Sequence, residues 1–389
     1  MLNRRGRGYN VVVGADTVPR RVVRVSTDPA RPEPLRNKEA FLSRAATLPG
    51  GFAWYVVVGE LCSSDVKVPV GAAAIFLPAD FNYLGDGDVV RLSAEEGSIA
   101  LLYQKSARHN SFLLTERCNH YCLMCSQPPR DVQDDWIVDD LMAAIPLVDR
   151  GTPEIVFTGG EPTLLGERLV YLVRQCKSYL PTTGVHVLSN GRAFADVGYA
   201  HFFADIRHAD LMFGIPLYSD ISDIHNYVVQ ADGAFDETIR GVLNLKRCGL
   251  RVEIRVVIHG QTYERLPELA RFIARNLTFV DQVALMGLEM TGFTRANLKD
   301  LWIDPVEYQP QLVDAVKILA ANRMAVAVYN HQLCITDRSI WRYAKRTISD
   351  WKNEYMPECQ DCAVRSKCGG FFSSAKFRYS EHIRPVTLL

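Results

Sequence analysis

From residue 111 onward, short apolar runs alternate with stripes of helical period. The runs fall at 112–115, 154–158, 185–189, 211–217, 252–258 and 282–288. Between them, Leu169, Leu172, Val173, Cys176 and Leu180 recur at helical intervals. Phe235, Ile239, Val242 and Leu243 form a second stripe; Leu266, Leu269, Ala270 and Ile273 a third; Leu312, Ala315, Val316 and Leu319 a fourth. Such stripes mark helices that bury one face. Strands alternating with helices predict parallel βαβ units with right-handed crossovers. Continuously apolar strands predict a sheet covered on its outer face by helices. The expected class is α/β. Six repeats suit a partial (βα)6 TIM-like barrel or an open doubly wound sheet, and the pattern alone does not separate them.

Residues 1–105 have another rhythm. Short β-type runs at 10–14, 21–25, 52–58, 88–92 and 98–103 are separated by Pro, Gly and Asp clusters such as Gly85-Asp86-Gly87-Asp88. They predict a small β-rich domain, followed by the barrel over 106–323. Beyond residue 323 the alternation is expected to stop. The segment 324–389 reads as a short, irregular extension with cysteines, too poor in apolar mass to order itself without a metal staple.

Composition narrows the classes. Hydrophobic residues at 48% and charged residues at 23% are ordinary globular values. Lys plus Arg equals Asp plus Glu, 44 against 44, which argues against a non-specific nucleic-acid binder. No apolar run nears the roughly 18–20 residues of a membrane helix. The start is basic, but offers three valines where a signal peptide has about 7–15 apolar residues. A cytoplasmic protein without a membrane partner is expected. Ten cysteines in such a chain point to metal or redox chemistry rather than disulfides. Seven of them fall into two ordered groups, leaving Cys62, Cys176 and Cys248 alone.

Cys118, Cys122 and Cys125 stand in one loop after the first predicted barrel strand. Four-iron clusters are normally held by four thiolates. Three at this spacing can wrap one cluster and leave an iron open to a ligand, as catalytic zinc keeps an open position. A zinc site completed by His120 is the competing reading. The next strand ends in Gly159-Gly160-Glu161-Pro162, where glycines allow close backbone approach and a carboxylate can receive an ammonium group. The C-terminal end of a parallel strand is where barrel sites assemble; an ordinary Gly-Gly turn is the alternative. Ser189-Asn190-Gly191 is either a polar site or common turn chemistry. Arg255, on the fifth strand, needs an anionic partner, either a cofactor carboxylate or a structural one. His225 and Glu289 follow the fourth and sixth strands and could face a substrate. Cys334, Cys359, Cys362 and Cys368 can saturate a second four-iron cluster, with a four-cysteine zinc site as the competing reading.

The CxxxCxxC loop at the top of strand one, inside a six-strand βα array, resembles the radical SAM superfamily. That resemblance implies a 4Fe–4S cluster on Cys118, Cys122 and Cys125 whose open iron chelates S-adenosylmethionine. One electron then breaks a sulfur–carbon bond and gives a 5′-deoxyadenosyl radical. Gly159, Gly160, Glu161 and Pro162 match the family's GGEP motif, which holds the methionine amino group. Ser189 and Asn190 match its polar motif near the ribose or carboxylate. Met124 stands where an aromatic residue is usual, and its thioether can pack on adenine. The family's GxIxGxxE pattern is only partly present: Ile258-His259-Gly260 is followed by Glu264 one place late. The second group resembles the auxiliary 4Fe–4S extensions (SPASM or twitch type) of peptide-modifying members.

Four segments, CNHYCLMCSQPP, FTGGEPTLL, YNHQLC and ECQDCAVRSKCGGFF, resemble the His-Xaa-Ser system radical SAM maturases of HxsC type. The resemblance covers about residues 85–389. It implies a peptide or protein precursor with His-Xaa-Ser repeats as partner, a second radical SAM maturase, and an electron donor such as flavodoxin or ferredoxin. A radical enzyme acting on a small molecule or RNA, and a zinc-stapled module without turnover, are the alternatives.

Overall fold

The computed structural model describes residues 5–8, 10–12, 20–36, 38–346 and 353–387. Val13 and Gly14 of the first predicted β run lie outside these. The chain divides into two compact units: 1–112 with 135–155 and 171–183, and the remainder.

The first unit holds an eight-stranded mixed sheet. Its strands are β1 (Arg5–Arg7), β2 (Asn10–Val12), β3 (Arg20–Ser26), β4 (Glu39–Ser43), β5 (Trp54–Val58), β6 (Ala73–Leu77), β7 (Val89–Ser93) and β8 (Ser98–Tyr103), in the order β1-β8-β7-β3-β4-β5-β6-β2. Neighbours from β3 to β6 run parallel, and the other pairs antiparallel. Both faces are covered. The strand period of two sends Trp54, Val56 and Val58 to one apolar cluster and Tyr55 and Val57 to another. Sequence pattern missed β1, β4 and β6: β1 is the three residues Arg-Gly-Arg, β4 is bracketed by Lys38 and Arg44, and β6 opens on alanines, which carry little β signal.

Helix Asp135–Ala144 brings a buried charge to this unit. Asp140 pairs with Arg20 at 2.7 Å and with buried Arg91 at 3.1 Å, and both guanidiniums lie over the Trp136 ring. Removing one partner of a buried pair strands the other charge, at about 3–5 kcal/mol. Asp140→Ala is therefore expected to lower the urea midpoint of the unit containing it, by an amount equivalent to that loss. A midpoint within about 0.5 kcal/mol of wild type would show the pair to be idle.

The seven-stranded sheet takes its strands in chain order: β9 (Asn110–Leu113), β10 (Glu154–Thr158), β11 (Gly184–Leu188), β12 (Leu211–Pro216), β13 (Arg251–Ile258), β14 (Gln282–Gly287) and β15 (Val326–Tyr329). From β11 to β15 the pairs are parallel, with helices between successive strands. The sheet has two edges, β9 and β15, and does not close. This is the expected α/β class, a partial barrel rather than a full one.

Two expectations need correction. The alternation does not stop at residue 323, because helix Gln309–Ala321 leads into β15, which pairs in parallel with β14. Its four residues were too short a run to register as a strand. Nor are the strands apolar on both faces. Val187, Phe213, Val252 and Ile254 are fully buried, with Phe213 against the Phe194 and Phe203 rings. The opposite face carries His186, Glu253 and Arg255 around Gly214, where an added Cβ would stand 2.8 Å from His186 Nε2 and 2.9 Å from Arg255 Cδ. The interior of the partial barrel is thus polar. Among the described residues, no helix is long and apolar enough to cross a membrane.

Candidate cluster and cofactor site

The cysteine loop begins where β9 ends, and several other segments of the chain hold it. Asp134, buried, accepts from Thr115 Oγ1 at 2.9 Å and from the Glu116 N–H at 2.5 Å, and pairs with Arg117 Nε at 3.0 Å. Tyr121 and Leu123 donate their N–H groups to Val229 and Val228 carbonyls at 3.1 and 2.9 Å. On the other side Phe293 N–H donates to Cys125 O at 2.8 Å, Thr294 Oγ1 to Met124 O at 3.1 Å, and Asn297 Nδ2 to Leu123 O at 2.9 Å. A loop with so many backbone partners fixes three thiols in place.

Their electrostatics call for a cation. Burial pushes the Cys118 thiol up to about 12, and Cys122 and Cys125 also rise through burial; neighbouring thiols add to the rise at Cys118 and Cys122. Buried thiolates that repel one another persist only with positive charge among them. The His120 N–H points at Cys118 Sγ at 3.4 Å, a donor suited to a ligating sulfur. His120 itself is 2% exposed, and neither ring nitrogen has a partner among the described residues. Burial, with smaller contributions from Arg192 and His225, lowers its pKa to about 3, so the ring is neutral. Among the described residues no three His, Cys, Asp or Glu side chains converge as one metal ion would need. Three thiols in one loop, with a backbone donor on Cys118 Sγ, are a donor set that suits a four-iron cube.

The Gly-Gly pair after β10 is explained by the loop it touches. Gly160 N–H donates to Thr115 O and Glu161 N–H to Arg117 O, both at 2.8 Å. A Cβ on Gly159, whose φ is +151°, would stand 2.5 Å from Thr115 O; one on Gly160 would stand 2.0 Å from Arg117 O. These glycines let two backbones meet.

Glu161 is 1% exposed and its carboxylate is filled from within. It accepts from Thr163 N–H and Oγ1 at 2.9 and 2.6 Å, Ser189 Oγ at 2.8 Å and Asn190 N–H at 2.6 Å. Burial raises its pKa, and these donors work against the rise. Asn190 Nδ2 donates to Asn119 Oδ1 at 2.6 Å, inside the cysteine loop. Glu161, Ser189, Asn190 and the loop therefore form one network across the ends of β10 and β11; Pro162 is buried and opens the next helical turn.

The remaining candidates are placed differently. Arg255 gives Nη1 to Glu253 Oε1 at 2.5 Å, so its anionic partner is a residue of the same strand. Met124 is packed with Tyr218, Val228, Val229 and Leu301 in an apolar cluster. His225 is fully buried, stacked on Tyr218, and accepts the Tyr218 N–H at Nδ1. Glu264 is exposed and accepts from Tyr263. Glu289 lies two residues beyond β14. Asp134, Asn119, Asn297 and Tyr218 shape the site but carry no motif that would announce them.

Cys334 and Cys359 pack against one apolar cluster with Phe371, and burial raises the Cys334 thiol, with smaller contributions from Cys368, Cys359 and Cys362. Backbone donors face these sulfurs too. Leu333 and Gly370 N–H groups approach Cys368 Sγ at 3.5 Å, and the Val386 N–H approaches Cys362 Sγ at 3.4 Å.

Comparison with known proteins bears on the first group directly. Residues 112–273 match the Radical SAM superfamily. The match covers 162 of the 389 residues, less than half of the chain. That family uses a 4Fe–4S cluster and S-adenosylmethionine. Pre-heme d1 synthase of Dinoroseobacter shibae is 29% identical over 167 residues, 41% of this chain and 38% of that protein. The pyruvate formate-lyase-activating enzyme of Clostridium pasteurianum is 23% identical over 188 residues, 46% and 74% of the two chains. Streptococcus suis SuiB bound to S-adenosylmethionine is 16% identical, with 62% of this chain and 54% of that one covered at a TM-score of 0.47. The chain thus spans well under half of the heme-pathway relative it matches.

Proposed function

We propose that the chain reductively cleaves S-adenosylmethionine and spends the resulting radical on a peptide, a precursor with His-Xaa-Ser repeats. The observation that carries this is the three-thiol loop of the radical SAM domain, fixed by backbone hydrogen bonds and sealed against Gly159 and Gly160. Cys118, Cys122 and Cys125 would hold the first 4Fe–4S cluster; Cys334, Cys359, Cys362 and Cys368 would hold the second. When bound, the first cluster supplies the electron that opens adenosylmethionine. The chain's own work is positional. Asp134 and the Gly-Gly pair fix the thiols, and Glu161 joins the ends of β10 and β11 so that Ser189 and Asn190 stand beside the cysteine loop. Arg255, on the interior face beside Gly214, gives Nη1 to Glu253. The second thiol group and the resemblance of its spacing to auxiliary-cluster extensions favour a peptide substrate. A second maturase, a flavodoxin or ferredoxin as donor, and a cytoplasmic setting complete the proposal.

A second reading, a small-molecule substrate, draws on the likeness to pre-heme d1 synthase. Anaerobic reconstitution separates these from a zinc module. About eight irons per chain and 5′-deoxyadenosine on reduction are expected, together with a mass change in a co-expressed His-Xaa-Ser precursor. Colourless protein holding only zinc would overturn the radical proposal; deoxyadenosine without any change in the precursor would favour the small molecule.

A further inference from the structure

A cleft opens at the ends of β13 and β14, bounded by Ile258 and Gly287. One wall, Leu288 and Leu301, belongs to the apolar cluster that packs Met124 and Cys122. The opposite wall, Phe371 and Ala375, belongs to the cluster that packs Cys334 and Cys359. The lining of the cleft therefore joins the apolar packing around both thiol groups, at strand ends where parallel-strand sites assemble.

Its chemistry is selective. Trp302, Phe371 and Tyr379 supply aromatic surface, and among the described residues no Asp or Glu lines it. The charged residue in its lining is Arg378, exposed and lying over the Trp302 ring at 5.5 Å. Ser374, in contrast, is 8% exposed, and its hydroxyl has no hydrogen-bond partner among the described residues. A buried hydroxyl left unpaired is costly, and apolar pockets with one or two placed polar groups are the usual form of a binding site.

Resting on the peptide reading above, we infer that this cleft receives a neutral imidazole side chain of the peptide, with Ser374 as its polar anchor. A hydroxyl both donates and accepts, as a neutral imidazole does at its two nitrogens. The aromatic walls cover the flat ring. An ammonium side chain finds no carboxylate and meets Arg378.

The test uses the reconstituted full chain and fluorescein-labelled peptides of three His-Gly-Ser repeats, with His→Phe and His→Lys versions, read by polarisation. The imidazole peptide is expected to bind at least about tenfold more tightly than the Lys peptide. Ser374→Ala should weaken the imidazole peptide by about five- to tenfold, the loss of one hydrogen bond, and leave the Phe peptide unchanged. Trp302→Leu should weaken both. Iron content and circular dichroism at wild-type values establish that each variant is folded. Unchanged imidazole binding in folded Ser374→Ala, or equal binding of the Lys peptide, would overturn the assignment. Deoxyadenosine formation on the same preparations keeps the two questions apart. Its absence beside Ser374-dependent binding defeats the radical reading alone; its presence without Ser374-dependent binding defeats the pocket alone.

Discussion

Cys122→Ala is expected to load about four irons instead of about eight and to form no 5′-deoxyadenosine above background, a fall of at least about a thousandfold. Cys122 sits in the middle of the loop and packs with Leu123 against the Met124 cluster. Neutral thiol is its stable buried form, because burial and then Cys125 and Cys118 all raise its pKa. A metal reverses that preference by replacing the proton. With two thiolates left, a cube lacks the third attachment that keeps its open iron facing the cofactor. Cys362→Ala makes the comparison informative: it should lose the second set of irons and still cleave adenosylmethionine in a single turnover. Cys176, a lone buried thiol on helix Glu167–Tyr179, should be replaceable by alanine with no change in iron. Iron assay, electron paramagnetic resonance and chromatography of the nucleoside read all three. Wild-type deoxyadenosine from Cys122→Ala would remove the first cluster from this loop.

Motifs and alternation were legible in the sequence because their causes are local. Cys118, Cys122 and Cys125 are close along the chain, and the apolar runs that became β10 to β14 repeat at the spacing a βα unit needs. What stayed hidden depends on the folded chain. Asp134 lies 19 residues from Thr115, and nothing in its surroundings announces that it would accept from that hydroxyl. Glu161 reads as a carboxylate free for an ammonium group. Only the fold brings Ser189 and Asn190, 28 and 29 residues on, to fill it. Met124 reads as an adenine contact until Val228 and Leu301 are seen around it. Arg255 was in the same position, its partner Glu253 being two residues away on the same face of the strand. The polar interior around Gly214 was hidden because pattern analysis counts apolar residues and does not see which face a histidine or glutamate takes.

Gly160 has an importance its motif alone would not explain. Gly160→Ala is expected to cut deoxyadenosine formation by about a hundredfold or more while leaving the far-ultraviolet spectrum intact. The added Cβ would stand 2.0 Å from Arg117 O and 2.5 Å from its carbonyl carbon. Both obstacles are backbone, so no side chain can turn aside, and the cysteine loop must retreat by an ångström or more. That retreat breaks the 2.8 Å bonds from Gly160 to Thr115 and from Glu161 to Arg117. It moves Cys118, next to Arg117, out of line with Cys122 and Cys125, and a misplacement of about 1 Å is enough to cost about a hundredfold in rate. Gly166 supplies the control. Its φ is +55° but nothing stands within 4 Å of an added Cβ. Gly166→Ala should therefore cost about 1–3 kcal/mol of stability through backbone strain and leave cleavage per folded chain unchanged. Equal losses of activity in the two variants would mean that general strain, not the seal against the cysteine loop, is what the glycine after β10 provides.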